Sequence, residues 1–460
     1  MTLALPDNVS KIIRILEEAG FEAFAVGGCV RDSLLGRTPH DWDITTSARP
    51  QEVKKLFRRT VDTGLQHGTV TVLMRGEALE VTTYRIDGTY SDARHPDSVT
   101  FTPELKEDLK RRDFTVNAMA YNGRCGLVDE FGGVKDIKEK RIRAVGEAEE
   151  RFREDALRIL RAFRFASELG FSIENKTRLA AGALAESLRQ ISAERIRSEL
   201  FRLLVSPHPE LLRDMYEAGI TRVFIPEFDR CMEQEQNHPH HCFNVGEHTI
   251  RAMCALSPEP EAGEDTFFQD PKEYQYLRLA LFFHDFGKPE THFTDEEGTD
   301  HFHGHAEAGA KITAGILRRL KSDNETIKTV EDLVRFHDRK LPAEEKTVRR
   351  AVNRVGALNF RRLFYIVRAD IMAQSEYKRE EKLTAERELK AVFEEIMRRG
   401  DPVSVSDLAI GGRELMELGV PKGPEVGAVL RKLLEAVLEN PECNTEERLK
   451  ELVMEEKAEK

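Results

Sequence analysis

An α+β multidomain fold, an N-terminal α/β head followed by an all-helical body, is predicted by three features of this 460-residue chain. Up to about residue 140, short strand-like runs (Val70 to Met74, Ala78 to Thr83, Gly126 to Glu130) alternate with helical stretches and Gly-rich turns. Beyond Ile142 the strand signal fades and apolar residues recur at helical spacing. Of the 14 histidines, ten fall between His238 and His337, too skewed for chance surface placement. These shifts in character place boundaries at 1–141, 142–235, 236–375 and 376–460.

In the head, Met1 to Glu18 reads as an amphipathic helix opened near Pro6 and stopped at Gly20. Phe21 to Val26 reads as a strand, and Gly27-Gly28 ends it before a short helix over Val30 to Leu35. Glycines at that junction let backbone N–H groups approach an anion, with Arg31-Asp32 close by. Asp41-Trp42-Asp43 follows, with Ile44, as a second strand. Residues i and i+2 of a strand share a face, so both carboxylates can grip one metal centre. A phosphate cradle beside paired carboxylates that suit Mg²⁺ is the equipment of nucleotidyl transfer. The bland reading of Asp-Trp-Asp alone is a solvated turn; the neighbouring glycines and Arg31 argue against it. Glu80 alternates with Leu79 and Val81, faces away from them, and is the candidate third carboxylate.

Further on, Arg111-Arg112-Asp113-Phe114-Thr115-Val116-Asn117-Ala118 carries cations and an amide before a strand over Met119 to Asn122. Arginine forks suit phosphate, and the Asp113 and Asn117 side chains suit ribose hydroxyls. Arg151 to Leu169 reads as one helix ended by Gly170, on which Asp155 and Arg158, three apart, share a face. A carboxylate accepts from an exocyclic amino group while a guanidinium donates to a neighbouring ring acceptor. Cytosine and adenine offer that edge; guanine and uracil leave both groups badly paired, at roughly 1–3 kcal/mol each. On its own, such a pair is commonly a surface salt bridge.

Helical readings continue over Ile191 to Leu204, Pro209 to Ala218 and Arg379 to Arg399. A final unit, Val403 to Val453, contains Gly411-Gly412 and a turn over Lys422 to Gly427. No apolar run approaches the roughly 18–20 residues that span a bilayer, and Met1 to Glu18 lacks a signal-peptide pattern. The six cysteines form no CxxC pair. A reduced, cytoplasmic protein is expected. The net charge of −12 argues mildly against wholesale nucleic-acid binding. Seven arginines between Lys138 and Arg164 nevertheless offer one basic wall to a phosphate backbone.

In order, Gly27-Gly28 through Asp43, Arg111 to Ala118, Glu130-Phe131-Gly132-Gly133, Glu154 to Arg158 and Ala193-Glu194-Arg195-Ile196 closely resemble the bacterial class II tRNA nucleotidyltransferases, the CCA-adding enzymes. The resemblance covers roughly the first 220 residues and implies a polymerase-β-like nucleotidyltransferase head at 1–141. It makes 142–235 a neck for base selection and RNA binding, and 376–460 a helical tRNA-binding tail. It implies that Asp41 and Asp43 hold the catalytic Mg²⁺ and that Arg112 and Asn117 contact the nucleotide sugar and phosphates. Gly132-Gly133 would act as a hinge, Asp155 and Arg158 would read the base, and Arg161 would contact the triphosphate. Tyr84 to Pro96, with Asp92-Ala93-Arg94, resembles the flexible loop such enzymes need for adding the terminal A.

In 236–375, His248, then His284-Asp285, then Asp370 has the order and residue types of the HD metal-dependent phosphohydrolases. Imidazole and carboxylate ligands suit a divalent transition metal with open positions. A buried helix over Leu279 to Phe283 would deliver His284 and Asp285 inward. His305 and His337 are plausible additional ligands or substrate contacts, Lys288 a phosphate contact, and His303 a flanking residue. This resemblance implies a second hydrolytic activity on nucleotides or cyclic phosphates. The sequence therefore points to addition of C, C and A to tRNA from CTP and ATP. Two rivals stand: an A-adding enzyme or poly(A) polymerase on the same head, and an HD nucleotide phosphohydrolase whose head only binds RNA. The acidic ending, Glu455 to Lys460, is unlike the long basic tail expected of the polymerase.

Overall fold

The structure is a computed structural model and describes residues 2–88, 98–257 and 266–458. It divides into two compact units, Met1–Asp229 and Arg230–Lys460. Of the loop expected over Tyr84 to Pro96, residues 89–96, with all of Asp92-Ala93-Arg94, lie outside the described residues.

Before residue 130 the first unit has the strands β1 (Ala23–Val26), β2 (Asp43–Thr46), β3 (Thr60–Gly64), β4 (Thr69–Met74), β5 (Glu77–Thr83), β6 (Arg85–Asp87), β7 (Val99–Phe101), β8 (Ala120–Asn122) and β9 (Gly126–Val128). Seven form one sheet in the order β3-β4-β5-β2-β1-β8-β9. Only β2 and β5 run parallel in it; β6 and β7 pair separately. Every residue of β1 is buried, as a central strand covered on both faces requires. On one face the helix Asp7–Glu18 lays Val9, Ile12, Ile13 and Leu16 against Ile44, Val70, Val72 and Val81. On the other, Phe24, Val26 and Ala120 pack with Tyr84 and Leu109. β5 alternates as expected: Leu79, Val81 and Thr83 point inward while Glu80 is solvent-exposed.

One helix anticipated over Arg151 to Leu169 is two, Ala148–Glu154 and Leu157–Leu169. Asp155 sits at the break in an extended conformation, φ −141° and ψ 105°. Its carboxylate Oδ1 accepts from the Leu157 N–H at 3.0 Å, satisfying a donor at the start of the second helix. Periodicity is blind to such a break because both pieces bury apolar residues, Ala148 and Phe152 in the first and Leu157, Leu160 and Phe163 in the second. The body also holds two short strand pairs that the reading did not anticipate. One is parallel, Arg141–Ile142 with Ser172–Ile173; the other antiparallel, Phe293–Thr294 with Asp300–His301.

The second unit is otherwise helical. The helices Val245–Ala255, Pro271–Phe283, His305–Arg319, Asn324–Phe336 and Ala357–Ala373 carry the histidine-rich part, and Arg379–Arg399 runs as one charged helix. The turn expected over Lys422 to Gly427 is shorter: a helix begins at Pro424, where a missing N–H costs nothing. Among the described residues, no helix is long and apolar enough to cross a membrane.

Candidate functional site

Strand order assembles the head site. In the register of β1 and β2, Val26 stands opposite Asp43, and in that of β2 and β5, Asp43 stands opposite Glu80. The chain leaves β1 at once through Gly27 and Gly28, so the glycine turn emerges beside the carboxylates. The helix after it begins at Gly28, two residues earlier than expected. Gly27 has φ +85°, and a Cβ there would lie 3.0 Å from Arg112 Nη1. Only glycine meets both demands without strain.

Asp41 lies just before β2 rather than on it. It acts on Asp43 nevertheless: the Asp43 pKa is raised, first by burial and then by the Asp41 charge, against a lowering by Arg112. Burial, then Asp43, then Asp41 likewise raise Glu80. The gathered carboxylates thus oppose the ionisation of Asp43 and Glu80, a charge debt that oxygen-seeking Mg²⁺ relieves. The residues present fit that ion. The sequence reading made Glu80 a partner from alternation alone, and the parallel pairing brings it next to Asp43.

The anticipated nucleotide-contact residues form one network. Arg31 Nη1 donates to Asn117 Oδ1 at 2.7 Å, and Asn117 Nδ2 donates to Asp113 Oδ1 at 3.1 Å. Arg161 donates to Asp113 Oδ2 through Nε at 2.9 Å and Nη2 at 2.6 Å. Burial works against the Asp113 charge, yet Arg161 and then Arg158 hold its pKa well below the usual carboxylate range. Arg112 differs. Its Nη2 lies 3.5 Å from Asp108, and its buried Nε makes no hydrogen bond among the described residues. A buried guanidinium N–H without a partner is costly and marks a place where an anion is expected.

Asp155 and Arg158 are not paired. Arg195 Nη2 donates to Asp155 Oδ2 at 2.8 Å. Arg158 Nη1 donates to Glu154 Oε2 at 2.5 Å and Nη2 to the Arg111 carbonyl at 3.0 Å. The shared helical face fails because Asp155 is not helical, although both side chains remain on one segment. Arg195 stands in the sequence only as part of the Ala193-Glu194-Arg195-Ile196 motif, and Asp108 is a site residue that the structure adds. Asp108 Oδ1 accepts from Arg111 Nε at 3.0 Å and Nη2 at 2.7 Å, and its Oδ2 from Thr45 Oγ1 at 3.2 Å. Its spacing of three and four from Arg111 and Arg112 was the available signal.

In the second unit, the helix Pro271–Phe283 buries Leu277 to Phe283 and delivers His284 and Asp285 at its end. Gly287 explains how they reach the next element: a Cβ there would stand 2.1 Å from the His305 carbonyl oxygen. His284 Nε2 lies 3.2 Å from Asp285 Oδ2 and 3.3 Å from His248 Nε2. His248 Nε2 also lies 2.8 Å from Asp370 Oδ1. His284, Asp285 and His248 are at most 2% exposed. Burial lowers the His284 pKa, but Asp285 raises it further, so it is raised on balance. Lys288, expected on phosphate, is instead buried, with Nζ 2.8 Å from both Asp285 Oδ2 and Gln236 Oε1. His303 stacks on His301, with ring centroids 5.6 Å apart. Asp285 Oδ2 is buried and accepts no aligned hydrogen bond among the described residues, despite the nearby ammonium. That orphan oxygen and the facing imidazoles fit a divalent metal. Asp370 and His337 also line a cavity of about 740 Å³, together with Phe360, Phe364, Arg350 and Lys382.

Three family models match the chain. "Poly A polymerase head domain" covers residues 23–143, "Probable RNA and SrmB- binding site of polymerase A" residues 170–232, and a tRNA nucleotidyltransferase domain 2 residues 306–453. A CCA-adding enzyme of Lactobacillus helveticus is 50% identical over 238 residues, 51% of this chain, and the match spans 60% of that relative's length. That of Leuconostoc mesenteroides is 56% identical over 198 residues, 43% of this chain and 49% of the relative. The solved structure of the Bacillus stearothermophilus CCA-adding enzyme in complex with CTP superposes with a TM-score of 0.70 at 30% identity. It covers 97% of this chain and 96% of its own. With the glycine turn, the facing carboxylates and the arginine network all present in the first unit, the chain belongs to the family of CCA-adding enzymes.

Proposed function

We propose that this chain adds C, C and A to the 3′ end of tRNA without a nucleic-acid template, using CTP and ATP. The terminal hydroxyl attacks the α-phosphorus, a new P–O bond forms, and the bond to pyrophosphate breaks. The observation that carries the proposal is the register that sets Asp43 opposite Glu80 beside the Gly27-Gly28 turn. Mg²⁺ held by Asp41, Asp43 and Glu80 would lower the pKa of the attacking hydroxyl and neutralise the triphosphate.

The chain's own residues do the rest. With the Gly27 N–H donated to the Met119 carbonyl, the Gly28 end of the turn and the unpartnered Nε of Arg112 receive phosphate oxygens. Asn117 and Asp113 hold Arg31 and Arg161 in place and suit the ribose. Asp155 and Arg158 read the amino-plus-acceptor edge of cytosine and adenine, with Arg195 orienting Asp155. Gly132, at φ +79°, opens the helix that follows and acts as the hinge. In this reading residues 1–141 are the catalytic head, 142–235 the neck, 236–375 the HD domain and 376–460 the tRNA-binding tail.

Incubating the protein with tRNA lacking its 3′ end and each labelled nucleotide separately tests the proposal. Incorporation from both CTP and ATP is expected. Incorporation from ATP alone would indicate an A-adding enzyme or a poly(A) polymerase. No incorporation would leave the head as an RNA-binding module.

The His248, His284, Asp285 and Asp370 cluster supports a second activity, metal-dependent hydrolysis of a phosphate ester in the HD domain. A divalent metal bound there would activate water for attack on phosphorus. Asp370 and His337 face the neighbouring cavity, where Arg350 and Lys382 can receive phosphate charge.

A further inference from the structure

We propose that the second unit carries a stacking track for unpaired RNA bases, built from six rings outside the buried histidine and aspartate cluster. Phe293, His301, His303, His238, His240 and Tyr377 form one connected series of side chains. The Phe293 and His301 rings stack with centroids 5.1 Å apart, and His303 lies 5.6 Å from His301 at an interplanar angle of 15°. His238 meets His301 edge-on at 6.4 Å and stacks on His240 at 5.0 Å. Tyr377 ends the series, 5.0 Å from His240.

Three separate segments of chain are fastened together to make the series. Phe293 and His301 are cross-strand partners in the short hairpin. The Asn237 N–H donates to Asp300 Oδ2 at 2.7 Å and the Asp300 N–H to the Asn237 carbonyl at 3.0 Å. These bonds dock the hairpin on the loop that bears His238 and His240. Ser375 Oγ donates to the Pro239 carbonyl at 2.7 Å, and the Ser375 N–H to the His240 carbonyl at 3.0 Å, which brings in Tyr377. His301 Nε2 lies 2.6 Å from Asp295 Oδ2, which sets the plane of that ring. The rings are placed before any ligand arrives, so binding loses little to their ordering.

Core packing does not account for them. Phe293 is 46% and Tyr377 49% exposed, and His303 is exposed as well. Their faces meet water, where a flat apolar ligand gains by covering them. Burial first, and then neighbouring charges that include Lys382 and Lys340, lower the pKa of His238 and His240. Both rings are therefore neutral near pH 7 and offer aromatic faces rather than charge. Lys340, Lys378 and Lys382 line the same cavity as His240, so cations for phosphate stand at the Tyr377 end of the track. Every base has a π-face, and aromatic rings flanked by cations hold single strands without reading their sequence. A duplex hides those faces. The strand is RNA because the proposed function has the chain work on tRNA, and the inference rests on that reading for this choice alone.

The test is fluorescence anisotropy with the full chain and end-labelled hexaadenylate, beside a hexamer of the same backbone that lacks bases. Saturable binding of hexaadenylate is expected, about ten-fold tighter than the abasic strand. Phe293→Leu with His303→Leu keeps apolar bulk but removes two flat faces. It should weaken hexaadenylate about ten-fold, with circular dichroism and nucleotide addition to tRNA unchanged. Equal affinity for the abasic strand, or unchanged affinity in the variant, overturns the track. Absence of binding also overturns it and leaves the rings to a protein partner. Tighter binding of the deoxy hexamer overturns the choice of RNA. Hexaadenylate binding that the variant weakens, in a chain that adds no nucleotide to tRNA, upholds the track and overturns the transferase reading. A hexamer carrying one 4-thiouridine, cross-linked by light to the unsubstituted chain, should label peptides bearing Phe293 or Tyr377. Label found only elsewhere overturns the track, so misfolding of the variant does not shield the proposal.

Discussion

Arg195 reaches back 40 positions to place its Nη2 2.8 Å from Asp155 Oδ2, joining the start of the helix Ala193–Leu204 to the break before Leu157–Leu169. The pair leaves Asp155 Oδ1 to cap Leu157. Asp155 is therefore held from two sides. Asp155→Ala should remove the acceptor for the amino group of cytosine and adenine while Arg158 still donates to carbonyls. Discrimination against UTP and GTP is expected to fall by roughly 1–3 kcal/mol, about ten- to a hundred-fold in relative kcat/KM. Arg195→Ala should produce a smaller loss in the same direction. Equal losses for all four nucleotides would mean that Asp155 only holds the helix break together.

Asp43→Ala should abolish incorporation of C and A alike and leave tRNA binding nearly intact, because Asp43 stands opposite Glu80 and feels the Asp41 charge. Single-turnover addition beside a filter-binding assay separates the two effects. Comparable residual incorporation would remove this carboxylate from the chemistry.

His284→Ala with Asp285→Ala should eliminate metal-stimulated hydrolysis of 2′,3′-cyclic or terminal phosphates and spare nucleotide addition, since every contact described for the cluster lies in the second unit. Hydrolysis that persists in this variant would make the histidines structural.

Gly287→Ala should destabilise the second unit by about 1–3 kcal/mol, the range for overpacking. Its methyl would meet the backbone of His305 and of Gly309, which cannot rotate away as a side chain can. Thermal unfolding measures this, and an unchanged Tm would show that the two segments can separate at little cost.

Asp300 links pH to stability. The Asn237 N–H, then His292, then Thr294 hold its pKa down to about 2. A group with a depressed folded pKa stabilises above its unfolded value, and that contribution fades as pH falls toward the folded one. The Tm gap between wild type and Asp300→Asn should be full above about pH 5 and close between about pH 4 and 2. A constant gap would assign the loss to packing rather than to ionisation.

The features legible in the sequence are those whose physics is local. Gly27-Gly28 after a buried apolar run, Glu80 alternating with Leu79 and Val81, and His284-Asp285 at the end of an apolar helix each depend on neighbours in the chain. Turn chemistry and side-chain periodicity express them directly. The tertiary structure decided the rest. It set Glu80 opposite Asp43 through a parallel pairing, gave Asp155 to Arg195 instead of Arg158, and turned Lys288 onto Asp285 and Gln236. For Asp155 and Lys288 the deciding partners, Arg195 and Gln236, lie far along the chain, where burial makes an unpaired charge costly whatever the sequence distance.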